Sequence, residues 1–309
     1  MVSNLRLKDT LDHLYETYGP DAIGSDPIEL LSPYPDPADR EVAAWIVSAF
    51  AYGRVALIRE HAGTLLSWLG PHPAQTVREP IAAADIAFFR HRFHGPEDAA
   101  LLLGVIRRVL ARDGSVRRFF ESRFRSGDST IGPMLDSAVG EILADIGPTT
   151  VAQRFLFPRP DEGSACKRWC MLLRWMVRRD AVDFGLWPGI LRSALVVPLD
   201  THLHRVTRRL GLTRRRATGW KTALEVTSRL RRLDASDPVK YDFALCRLGI
   251  LEICRTEPRL SQCSTCGARP VCKVASRRAR RAVAAPKSRR SRAEGPRPKA
   301  DEGGRRPAA

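Results

Sequence analysis

Residues 195–212 read LVVPLDTHLHRVTRRLGL, and this stretch decides the fold class. Its first five residues are the longest strand-like run in the chain, a string of Leu and Val with no charge. Pro198 spoils a strand there, because proline has no N–H for a sheet ladder; a buried connector is expected instead. Asp200 then opens a helix-like segment, where a carboxylate can cap by accepting from free N–H groups of the first turn. Working outward, ADREVAAWIVSAFAYG (38–53) places Val42, Ile46, Ala49 and Phe50 on one helical face. Leu102, Val105, Ile106, Val109 and Leu110 repeat the spacing in PEDAALLLGVIRRVLARDG, where Gly114 supplies a stop. Ala223, Val226, Thr227 and Leu230 repeat it again, and Asp237-Pro238 can start the helix after them. Period-two runs bounded by turn residues are missing, so an all-α protein without internal repeats is expected. A Pro-rich segment, SPYPDP (32–37), separates the first helix from the rest.

The 309 residues carry 51 Lys and Arg against 34 Asp and Glu, a net charge of +17. That excess favours a polyanionic partner, nucleic acid before a membrane surface. It is unevenly spread: residues 274–309 hold 12 basic and 3 acidic side chains and almost no large apolar ones. Such a segment does not offset the entropy of ordering, so a disordered basic tail is expected. No window approaches the ~18 consecutive apolar residues of a membrane span, and the N-terminus lacks the apolar core of a signal peptide. A cytoplasmic, nucleoid-associated protein is expected.

Four of the seven cysteines crowd into CRTEPRLSQCSTCGARPVC, as Cys254-x8-Cys263-x2-Cys266-x5-Cys272. An odd total, clustered in one short loop, argues against a secreted disulfide scaffold and for a soft metal centre. Spacing leaves a four-cysteine zinc site and an iron–sulfur cluster both open. Cys246, upstream in an apolar helix, reads as a small buried hydrophobe.

The segment GSACKRWCMLLRWMVRRD (163–180) begins with glycine and small residues and runs into a helix. Free N–H groups there, with the positive end of the helix dipole, suit a phosphate oxygen. Weaker leads are His202 and His204 beside Asp200, His91 and His94 in a turn, and Tyr52 with Arg54 at a helix end; helix capping, DNA-backbone contact and turn roles suit the four histidines better than metal ligation.

Three of these segments together resemble the helix-hairpin-helix Gly/Pro-Asp (HhH-GPD) DNA glycosylase superfamily. PLDTHLHRVTRRLG is similar to its Pro-Asp loop and following helix. GSACK resembles its Gly-x-Gly-x-Lys hairpin, with Gly163, Ala165 and Lys167 at matching places. The cysteine string is similar to the iron–sulfur loop of the endonuclease III branch, with a longer first gap. Most of residues 24–273 resembles a bacterial subfamily of that superfamily with no demonstrated substrate. The resemblance implies a base-excision glycosylase, with or without AP-lyase activity, acting as a monomer on double-stranded DNA with a damaged or mismatched base. Its alternative is a catalytically inactive nucleic-acid-binding protein of the same fold.

Residue by residue, the resemblance implies Asp200 as the essential carboxylate and Lys167 as a Schiff-base lysine. It implies Gly163, Ser164, Ala165, Arg168, His202, Arg205, Arg255, Arg259 and Arg269 at the DNA. A [4Fe-4S] cluster, or zinc, would sit on Cys254, Cys263, Cys266 and Cys272. The implied organisation is an N-terminal helix (1–37) joining a second lobe (196–273), a first lobe with the hairpin (38–195), and the tail (274–309). Two departures stand out. Ala165 replaces the second hairpin glycine, and RRDAVDFGLWPGILRSA (178–194) reads as an insertion between Lys167 and Asp200.

Overall fold

The computed structural model describes residues 3–19, 24, 26–257 and 259–276. The expected tail, from residue 277 on, lies outside the described residues. In chain order the helices are α1 (Asn4–Thr17), α2 (Pro37–Ala49), α3 (Val55–Leu69), α4 (Pro73–Thr76), α5 (Pro96–Asp113), α6 (Val116–Glu121) and α7 (Gly132–Ile146). They continue as α8 (Val151–Leu156), α9 (Lys167–Val177), α10 (Thr201–Leu210), α11 (Trp220–Arg231), α12 (Asp242–Ile250) and α13 (Leu260–Thr265). Among the described residues there is no strand, only isolated bridges such as His91 with His94. The fold is all-α.

Local chemistry explains the boundaries. Pro37 occupies the first turn of α2, and Asp36 caps it by accepting from the N–H groups of Ala38 and Asp39. α5 ends at Gly114, whose φ of +81° is the left-handed conformation that glycine adopts without steric cost. The run 195–199 is the expected connector: Leu195, Val196, Val197 and Leu199 are buried, and the Val197 N–H finds the Thr227 hydroxyl at 3.1 Å.

α2 departs from the one-faced pattern read in its sequence. Val42, Ala43, Trp45, Ile46, Val47 and Phe50 are all fully buried, so apolar residues point in every direction. The helix is the axle of its region, packed by α3, α4, α5, α6 and α9. Trp45 meets Trp169 of α9 edge-on at 5.7 Å between ring centres. On the C-terminal side α10 packs on α12, and α1 packs on α12 and on the turn Arg269–Val271. The buried apolar residues form one continuous cluster through all of these helices.

Residues 178–194 fold back on the end of α9. The N–H of Phe184 donates to Trp175 O at 2.9 Å and that of Trp187 to Met176 O at 2.8 Å, filling carbonyls that the helix end leaves open. Trp187 donates its indole N–H to Glu41 at 3.1 Å and stacks on Phe120. A buried ionic network fixes the segment. Arg174 pairs with Asp183 at 3.2 Å and with Asp242 of α12, and Arg178 pairs with Asp180, Asp183 and Asp237. Residues 178–194 are therefore held against α9.

Candidate functional site

Asp200 is the N-cap of α10, and its Oδ1 accepts from the Leu203 N–H at 2.7 Å. Oδ2 points the other way, 4.0 Å from Cys246 Sγ on α12. Burial pushes the Cys246 thiol up first, and the Asp200 and Asp242 carboxylates push it further, while Lys167 pulls it down. Asp200 and Lys167 thus have opposite electrostatic effects on one thiol, even though 33 residues separate them in the chain.

Lys167 is the first residue of α9, and its Nζ donates to Ala51 O at 2.9 Å, just past the end of α2. It lines an open cleft of about 850 Å³ with Gly163, Ser164, Ala165, Tyr52 and Phe155. That volume lies in the range of sites that enclose a small ligand. Gly163 has φ of +80°, so the hairpin turn needs its freedom. Its carbonyl accepts from the Trp220 N–H at 3.1 Å, which ties the hairpin to the start of α11. Asp200 does not line this cleft.

Arg168 departs from the expected phosphate contact. Only 7% of it is exposed, and its guanidinium donates to Ala49 O at 2.6 Å and to Phe155 O. It also stacks on the Phe155 ring at 4.2 Å, and burial pulls its pKa down to about 10. The reason is positional: the second residue of α9 points its guanidinium at the carbonyls of Ala49 and Phe155, while still lining the cleft.

The other residues expected at DNA fall in two further places. His202, Arg205, Arg255 and Arg259 line a groove beside α12. Arg255 pairs with Glu252 there, and Arg205 donates to Cys254 O at 2.9 Å and bonds His202 at 3.1 Å. Arg269 lines a small apolar cavity with all four loop cysteines. Among the described residues no group of His, Cys, Asp and Glu stands in metal-ligating geometry. The four sulfurs are nevertheless neighbours: burial raises the Cys266 thiol, and Cys254, Cys272 and Cys263 add to the rise. Arg209 donates to Cys254 Sγ at 3.0 Å. The donor set is soft sulfur throughout, which fits an iron–sulfur cluster or zinc.

A family model described as "Protein of unknown function (DUF2400)" matches residues 26–251. The chain belongs to this DUF2400 family. The DUF2400 span takes in Lys167, Asp200 and Cys246 and stops three residues short of Cys254, so the cysteine loop lies beyond it. No curated protein matches the chain. No solved structure matches it either.

Two groups that sequence reading passed over stand out. Cys246, read as a small hydrophobe, sits against the Asp200 carboxylate; nothing in its own helix marks it, because its partner is 46 residues away. Arg214 and Lys273 line a groove along α10, and the triplet Arg214-Arg215-Arg216 was the available signal. The histidines do structural work. His204 bonds Arg215 O at 3.0 Å, which takes it out of any triad with Asp200. His94 bonds Tyr52 and Ala152 O, and burial pulls His91 down to about 4.

Proposed function

We propose that this protein is a DNA base-excision glycosylase of the HhH-GPD type, with Asp200 as its carboxylate and Lys167 as its amine. The observation that carries the reading is the hairpin: Lys167 opens α9 and lines an open cleft with Gly163, Ser164 and Ala165, while Asp200 caps α10. A flipped nucleotide would enter between the two helical groups. As the N-glycosidic bond breaks, its electron pair leaves with the base, and the Asp200 carboxylate stabilises the cationic sugar. Lys167 Nζ, once it leaves Ala51 O and gives a proton to water, bonds C1′ as the base departs and opens the route to strand cleavage.

Cys254, Cys263, Cys266 and Cys272 would hold a [4Fe-4S] cluster, with zinc as the alternative. Such a group supplies a structural clamp for the loop that carries Arg255, Arg259 and Arg269. The partner in this reading is duplex DNA with a damaged or mismatched base, met by a monomer in the cytoplasm. No described helix is long and apolar enough to cross a membrane.

The test is borohydride trapping and base release on a panel of lesion-bearing duplexes. An adduct abolished by Lys167→Ala, with base release abolished by Asp200→Asn, supports the assignment. A second reading, the same fold binding nucleic acid without catalysis, draws on the structural bonds that Lys167 and Asp200 already make. Tight duplex binding with no base release from any lesion would select it.

A further inference from the structure

The cations of the C-terminal half converge. Arg205, Arg208, Arg209, Arg214 and Lys273 line one groove of about 730 Å³ between α10 and the segments at 213–214, 256 and 273–274. No carboxylate lines it. An adjoining groove shares Thr213, Arg214 and Lys273 and continues past Arg229 and Arg232. Of the acids on adjoining segments, Glu225 pairs with Arg215 and Glu252 with Arg255, while Glu257 follows the groove-lining Thr256. Among the described residues Arg208, Arg214 and Lys273 have no ion-pair partner, and all three are exposed. The groove shares no lining residue with the hairpin cleft.

The loop that carries Arg214 is held in place. His204 bonds Arg215 O at 3.0 Å from inside α10, and Thr213 donates its hydroxyl to Glu225 at 3.0 Å. Arg215 is drawn to Glu225 by the same anchor, which leaves Arg214 on the groove side. From Lys273 the sequence runs on into RRARR (277–281), which lies outside the described residues.

We propose that this groove is a second nucleic-acid track, which seats the phosphodiester backbone of a DNA duplex apart from the hairpin cleft. Isolated cations spaced along a walled channel match a strand that offers one negative charge per nucleotide, and exposed arginine forks grip phosphate oxygens in pairs. A bilayer is flat and does not reach cations set between walls. The proposal is independent of any chemistry at Asp200 or Lys167.

The experiment is fluorescence anisotropy of the full chain on an undamaged duplex between ~50 and ~200 mM salt, where each lost phosphate contact removes about 0.9 from the slope of log K against log salt. The triple variant R208A/R214A/K273A should lower the slope by about 2.7 and weaken binding at least about tenfold at ~0.1 M salt. The charge-keeping variant R208K/R214K should retain the wild-type slope, and the thermal midpoint of both should match wild type. A slope unchanged in the triple variant, or lost equally in the lysine variant, overturns the proposal. So does binding to phosphatidylserine vesicles that falls in the triple variant while duplex binding does not. Because the duplex carries no lesion, failure here leaves the glycosylase reading untouched, and the reverse holds.

Discussion

Arg174→Met removes a guanidinium that lies 5% exposed between Asp183 and Asp242, both more deeply buried still. Methionine fills most of the volume, so the change is chiefly electrostatic. Asp183 keeps Arg178, whereas Asp242 loses the cation that joins α12 to α9. Breaking one side of a buried pair costs about 3–5 kcal/mol, roughly a fifth or more of the stability of an ordinary domain. The pH dependence separates this cause from simple loss of packing. Burial already holds the Asp242 pKa at about 6 in the folded protein, against 3.8 for an ordinary carboxyl, with Arg174 opposing the rise. A raised acid contributes stability at low pH and loses it as pH climbs through the folded value. Removing Arg174 raises that value further, so the deficit of the variant should be largest above about pH 7 and shrink as pH falls below about 6. Urea unfolding at about pH 8 and about pH 5 measures both ends. A deficit under about 1 kcal/mol at the higher pH, or one equal at both, would refute the argument.

Three further outcomes are expected. Asp200→Asn keeps an N-cap of similar quality, so unfolding should shift by less than about 0.5 kcal/mol while single-turnover base release falls at least about 100-fold. A release rate that survives rules Asp200 out as the carboxylate. Anaerobic protein should be brown and contain iron and sulfide in cluster ratio, and Cys263→Ser should lower both; stoichiometric zinc without colour removes the iron–sulfur assignment. Deleting residues 274–309 should weaken duplex binding and reduce its salt slope while sparing base release at saturating protein, measured on the same substrate.

The all-α class and the end of α5 were legible because periodicity and a stop glycine are local signals, whereas Asp237-Pro238 forms a turn and α12 begins only at Asp242. Pro198 likewise announced that 195–199 would not form a strand. The full burial of α2 was less legible, since its sequence shows the apolar excess but not that five helices surround it. Lys167 and Asp200 stand at helix starts that local pattern marks, but the burial of Arg168 was not legible, because the direction of a side chain at a helix start depends on what lies opposite. Long-range pairing hid the remainder. Arg174 with Asp242 spans 68 residues, and Cys246 with Asp200 spans 46, with no spacing rule to connect them.

Lys167 and Arg168 hold neighbouring carbonyls, Ala51 and Ala49, at the end of α2. The negative end of one helix therefore meets two cations at the positive end of another. Any anion that takes the Lys167 ammonium competes with α2 for it and leaves the Ala51 carbonyl to water. Occupancy of the cleft is thus written into the protection of the Tyr52 backbone amide. Hydrogen exchange at Tyr52, whose N–H donates to Phe50 O at 2.8 Å, would report ligand entry whether or not a bond is ever broken.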